Sequence, residues 1–156
     1  MKPVFQSIVD QDHGDCFRCC IASILEVEAD AVPNFVAVER DDFHVYDRWC
    51  AENGIALIEI GGRGYPEPPS PLSLFRWDWA RGVFCIASLP SQRFPGGWHA
   101  VVAQMAPDPE YPQDAVKLRI AHDPNPDNGP YSADEIAKIR TLVFLVPFIP
   151  QRSEAS

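Results

Sequence analysis

The chain has 156 residues, 46% of them hydrophobic, and 22 acidic residues against 13 basic ones give a formal net charge of −9. Its basic residues are scattered, which leaves no electrostatic footprint for a nucleic acid, and no apolar stretch approaches the ~20 residues of a membrane span. The expectation is one domain over residues 1–150 with a loose tail over 151–156, and, with no signal-peptide core ahead of Asp10 and Asp12, a cytoplasmic location.

In chain order, a polar stretch Gln11-Asp12-His13-Gly14-Asp15-Cys16 turns at once into the apolar run Phe17 to Leu25, so a first helix is expected over 15–26. A short turn and a second helical piece follow between Glu28 and Phe35, interrupted by Pro33. Residues 39–53 form an amphipathic helix, with Phe43, Tyr46, Trp49 and Cys50 spaced by three and four, and Asn53-Gly54 ends it. The period then changes to two. Strands are expected at Ile55–Ile60, Val83–Ser88, Trp98–Met105, Ala115–His122 and Leu142–Phe148. An aromatic, proline-rich loop covers 65–81, and a polar connection covers 106–114. Ser132-Ala133-Asp134-Glu135 is a capping-box pattern that opens a short helix to Ile139. Helices first and strands later argue for an α+β class with an antiparallel sheet.

The chemistry starts from Cys16. A thiol on the first turn of a helix lies at the positive end of the helix dipole, which favours the thiolate. A cysteine nucleophile also needs a base within reach and a third group to fix that base. His99 begins a strand after Gly96-Gly97, and Asp123 ends the following strand before Pro124. In an antiparallel hairpin the start of one strand lies beside the end of the next, so His99 and Asp123 become neighbours. The backbone N–H of Cys16 is a first donor for an oxyanion, and a side-chain amide, Gln11 or alternatively Gln6, is the second. His13 is the rival base but sits in a turn, whereas His122 has a structural reading and His44 a solvated one. Cys20, Cys50 and Cys85 read as buried small hydrophobes, and Cys19 as a neighbour of the site rather than an actor in it.

Two metal readings have less behind them. Asp123, Asn125 and Asp127 alternate as in a calcium loop, but the glycine falls late and no helix precedes it, which leaves an Asx-turn loop. Adjacent Cys19 and Cys20 point about 100° apart on a helix, which disfavours a zinc site with His13 and Cys16. No metal and no cofactor are expected.

Taken together, Gln11, Asp15-Cys16, His99 with its apolar followers and Asp123-Pro124 resemble the peptidase C39 family and its relatives in the papain-like superfamily. The resemblance implies a papain-like fold, a nucleophile-bearing helix packed on an antiparallel sheet. It makes Cys16 the nucleophile, His99 the base, Asp123 its orienting partner and Gln11 the oxyanion glutamine. The implied activity is a cysteine peptidase or amidase that forms an acyl-thioester on a peptide or protein substrate. A catalytically silent binding or inhibitory module on the same scaffold is the alternative. Phe17 stands where that family usually has glycine.

Overall fold

The structure is a computed structural model that describes residues 1–36, 43–61, 81–107 and 116–148. The aromatic loop, most of the 106–114 connection and the tail lie outside the described residues, as do the side chains of Phe43, His44 and Tyr46.

Helix α1 (Cys16–Leu25) is followed by a single 3-10 turn at Ala29–Ala31, by α2 (Phe43–Glu52) and by β1 (Ile55–Gly61). Then come β2 (Phe84–Pro90), β3 (Trp98–Pro107), β4 (Val116–His122), α3 (Ala133–Ile136) and β5 (Thr141–Pro147). The five strands form one sheet in the order β1-β5-β2-β3-β4, and every neighbouring pair is antiparallel. The class is α+β, as the order of elements implies.

Two expectations differ in extent. The helical piece between Glu28 and Phe35 is only the 3-10 turn. The capping box at Ser132 forms, with Glu135 answering the Ser132 backbone, but α3 stops at Ile136. Beyond it the bonds tighten to Lys138 N–H on Glu135 and Ile139 N–H on Ile136, which drops Ile139 into the core at 3% exposure. Burying that side chain is worth roughly 1.5–3 kcal/mol, more than one further helical hydrogen bond would return.

β2 and β3 are central, so both their faces are covered and the strict alternation of apolar and polar residues is lost. Cys85 to Ala87 and Ala100 to Ala103 are all buried. On one face, α1 packs through Cys20, Ile21 and Ala22 against Ile86, Ala100, Val102 and Val143. On the other face, Leu89, Val101, Ala103, Met105, Leu118, Ile139 and Leu142 form a second cluster, with Tyr131 and Ile136 against it. From α2, the Trp49 ring stands edge-on to Phe35 at 5.9 Å and its indole N–H donates to Ala31 at 3.0 Å.

The first eight residues tie these layers together. Val4 N–H donates to Ser23 Oγ at 2.9 Å and Lys2 N–H to the Ser23 carbonyl at 3.1 Å, so this segment runs along α1. Its other edge meets the end of β4. Gln6 N–H donates to the Pro124 carbonyl at 3.0 Å, and His122 Nε2 to the Val4 carbonyl at 2.9 Å. The start of α1 and the end of β4 are thereby held at one end of the sheet.

Gly14, in the turn before α1, is fixed by close approach. A Cβ there would lie 2.5 Å from the Asp10 carbonyl oxygen, a backbone atom that cannot swing aside. Gly14→Ala is therefore expected to cost about 1–3 kcal/mol. A urea midpoint unchanged from the parent chain would contradict that tight turn.

Candidate active site

Asp15 stands at the N-cap of α1 but does not cap it; its carboxylate turns back into the protein. It is fully buried and accepts from Ile8 N–H at 3.0 Å, Ser7 Oγ at 3.0 Å, Ser7 N–H at 3.3 Å and Arg18 at 2.8 Å. Burial alone would raise its pKa, but the bonds from Ile8, Arg18 and Ser7 prevail and hold it below the usual carboxylate range. Asp15 thus fastens the turn, the N-terminal segment and the first turn of α1 to one another. Cys16 follows as the first helical residue, partly exposed, with its N–H among those that a helix start leaves unpaired.

His99 is the second residue of β3, opposite Leu89 of β2, and is 8% exposed. Alternation puts it in step with Val101 and Ala103 of the second cluster, not with Ala100 and Val102 beneath α1. Its interaction with Cys16 runs from the start of β3 to the start of α1. The ring is hydrogen-bonded on one side to Asp123, with Nε2 2.6 Å from Oδ1, and it also interacts with Cys16. With Nε2 committed to the carboxylate, Nδ1 is the nitrogen left for the thiol. Burial alone would lower the His99 pKa, but the bonds with Asp123 and Cys16 outweigh it and raise it to about 9.

Asp123 follows the last residue of β4. Burial pushes its pKa up, and the bonds from His99, Tyr131 and Asn128 more than reverse that, leaving it below its ordinary value. The loop after it is a run of Asx turns, Asn125 N–H on Asp123 Oδ1 at 2.7 Å and Asp127 N–H on Asn125 Oδ1 at 3.1 Å. Every contact to the Asp123 carboxylate comes from a donor, and among the described residues no group of three His, Cys, Asp or Glu is arranged to hold a metal.

Cys16 and His99 open on a narrow cleft that Gln6, Gln11, Trp98 and Asn128 also line. Both candidate oxyanion glutamines are therefore at the site. Gln11 is exposed on its turn, whereas Gln6 is half-buried, anchored through its backbone to Pro124, and its buried Oε1 has no hydrogen-bond partner among the described residues. A larger hollow along β4 reaches Asp123 and Tyr131 but includes neither Cys16 nor His99. Cys16 and His99 both line the narrower cleft.

The remaining candidates lie apart from this chemistry. His13 is exposed and pairs with Asp10 at 3.3 Å. His122 is held by the Val4 carbonyl and by Phe5, whose ring stands edge-on at 5.1 Å. Cys19 is buried with its Sγ 3.5 Å from the Phe5 carbonyl, and burial pushes its thiol up to about 12. Burial does the same to Cys85, at about 12, and raises Cys20 well above the ordinary thiol value.

Several contributors had no signal strong enough to be read from the sequence. Ser7 and Arg18 are ordinary polar residues until Asp15 is seen to be buried between them. Tyr131 lies in a segment without periodicity. No family model, no curated protein and no solved structure matches this chain.

Proposed function

We propose that this protein is a cysteine hydrolase of the peptidase or amidase type, built on a papain-like arrangement. The observation that supports the reading most is the linear set Cys16, His99 and Asp123: a partly exposed thiol at a helix start, a base within its reach, and a carboxylate 2.6 Å from the far ring nitrogen of that base. In this reading Cys16 Sγ attacks a carbonyl carbon of a peptide or protein substrate, and the oxyanion is met by the Cys16 N–H and a glutamine amide. Gln6 has the firmer mount for that second role, and Gln11 the more open one. His99, carrying the proton taken from the thiol, gives it to the leaving amine. A thioester to Cys16 remains. Water then attacks the thioester with His99 as base, and the acid leaves with the thiol restored. Asp123 stays ionised throughout and stabilises the imidazolium.

Rate-resolved labelling with iodoacetamide, read by mass spectrometry, tests the assignment. Cys16 is expected to react first, because Cys19, Cys20 and Cys85 are fully buried and their thiols are held in the protonated form. First reaction at Cys19 or Cys85, with Cys16 inert, rejects the nucleophile and leaves the silent binding module. Turnover is then sought with a library of peptide and isopeptide amides, with Cys16→Ala as the blank.

A further inference from the structure

A carboxylate has four good acceptor directions, and at Asp123 the chain fills them all. Oδ1 takes His99 Nε2 at 2.6 Å and Asn125 N–H at 2.7 Å. Oδ2, the oxygen turned from the base, takes the Tyr131 hydroxyl at 2.6 Å and the Asn128 side-chain amide at 2.9 Å. These two side chains are themselves fixed. Tyr131 packs against the second core cluster, and Asn128 is held by Asn125 Nδ2 on its Oδ1 at 3.2 Å and lies 3.3 Å from the Tyr131 hydroxyl.

Orienting a histidine needs only Oδ1. The last torsion of an aspartate is soft and roughly two-fold, so a carboxylate held at one oxygen swings readily. Bonds to the second oxygen, from a core-anchored ring and a locked amide, remove that freedom. We propose that Tyr131, seconded by Asn128, is a positioning residue: its hydroxyl fixes the plane of the Asp123 carboxylate and so sets which nitrogen, and what tilt, His99 presents to Cys16. This rests on the cysteine-hydrolase reading. The rival role is a pin that merely fastens the 123–131 loop to the core. Pinning needs the ring, whereas positioning needs the hydroxyl.

Tyr131→Phe separates the two, since it keeps the ring and its packing and deletes one oxygen. The measurement is the pH profile of iodoacetamide alkylation of Cys16, with thermal unfolding alongside. Positioning predicts a roughly 3- to 10-fold slower reaction near neutral pH, the worth of one hydrogen bond, and an alkaline inflection that falls from about 9 towards 6.5, because a swinging carboxylate holds the imidazolium less firmly. Asn128→Ala should move the profile the same way by less, and the double variant by less than the product of the singles, as for two groups on one oxygen. A Tyr131→Phe profile that overlays the parent overturns the proposal, whatever the melting temperature does. If that variant fails to fold, the Asn128→Ala profile decides by the same criterion. Asp123→Asn keeps the two readings distinguishable. A profile altered by Asp123→Asn but not by Tyr131→Phe removes only the positioning role. A parent chain whose Cys16 is not preferentially alkylated removes the hydrolase reading and this role with it.

Discussion

Asp123→Asn is expected to slow alkylation of Cys16 near neutral pH by roughly 10- to 100-fold while leaving the fold intact. The native carboxylate meets His99 at 2.6 Å, and that bond is the first of the interactions raising the imidazole to about 9 against its ordinary 6.5. An asparagine is nearly the same shape and can still accept at one position, but it carries no charge. Its amide can also present N–H to the ring, which favours the wrong tautomer for abstracting the Cys16 proton. Each pH unit by which the imidazolium is weakened is a tenfold loss of the ion pair. Because Asp123 is ringed by donors, added calcium should not raise the melting temperature of the parent chain. A calcium-dependent rise abolished by Asp123→Asn, with Cys16 reactivity unchanged, would replace the triad with a metal loop.

The same pair links stability to pH, with opposite signs on its two arms. Folded His99 binds its proton more tightly than the unfolded chain does, so its contribution is complete below pH 6.5 and is lost as pH rises through about 9. Asp123 is shifted down, so its contribution is present above its ordinary 3.8 and is lost as pH falls below that. The His99 side chain is only 9% exposed, so solvent screens the pair little. Asp123→Asn should therefore flatten the alkaline arm of a stability–pH curve. An arm that keeps its slope in the variant assigns the titration to another group.

The parts of the site that lie on periodic elements could be read from the sequence. Cys16 is placed by the abrupt change from a polar turn to an apolar run, and His99 and Asp123 by two strands joined through a polar connection. What the pattern did not carry is why they meet. The contact between Val4 and His122 spans 118 residues, that from Gln6 to Pro124 is made by backbone atoms that any sequence possesses, and Cys19 Sγ meets only the backbone carbonyl of Phe5. Alternation even sets His99 in step with the face away from α1, so the strand pattern alone did not bring it to Cys16. Tyr131 and Asn128 were invisible for a similar reason: their meaning depends on the second oxygen of a carboxylate eight and five residues away.

The largest stability loss is expected from Asp15→Ala, at about 3 kcal/mol or more, read as a shift in the urea midpoint at constant m. Asp15 has no exposed surface and gathers donors from Ser7, Ile8 and Arg18. Deleting it leaves two backbone N–H groups without their acceptor and strands a guanidinium whose side chain is only 19% exposed. The Arg18 Nε is already buried without a hydrogen-bond partner among the described residues, so the cation has little else to turn to. Asp15→Asn keeps one acceptor for Ile8 N–H but removes the charge facing Arg18, and should cost less, roughly 1–3 kcal/mol. Cys16 is the next residue and Gln6 precedes the two that Asp15 holds, so loosening this knot moves the Cys16 thiol and the firmer oxyanion candidate together. Alkylation of Cys16 in Asp15→Ala should thus slow even at temperatures where the chain remains folded. A loss below about 1 kcal/mol, with Cys16 reactivity unchanged, would mean that the turn holds itself and that the buried carboxylate does not set the position of the thiol.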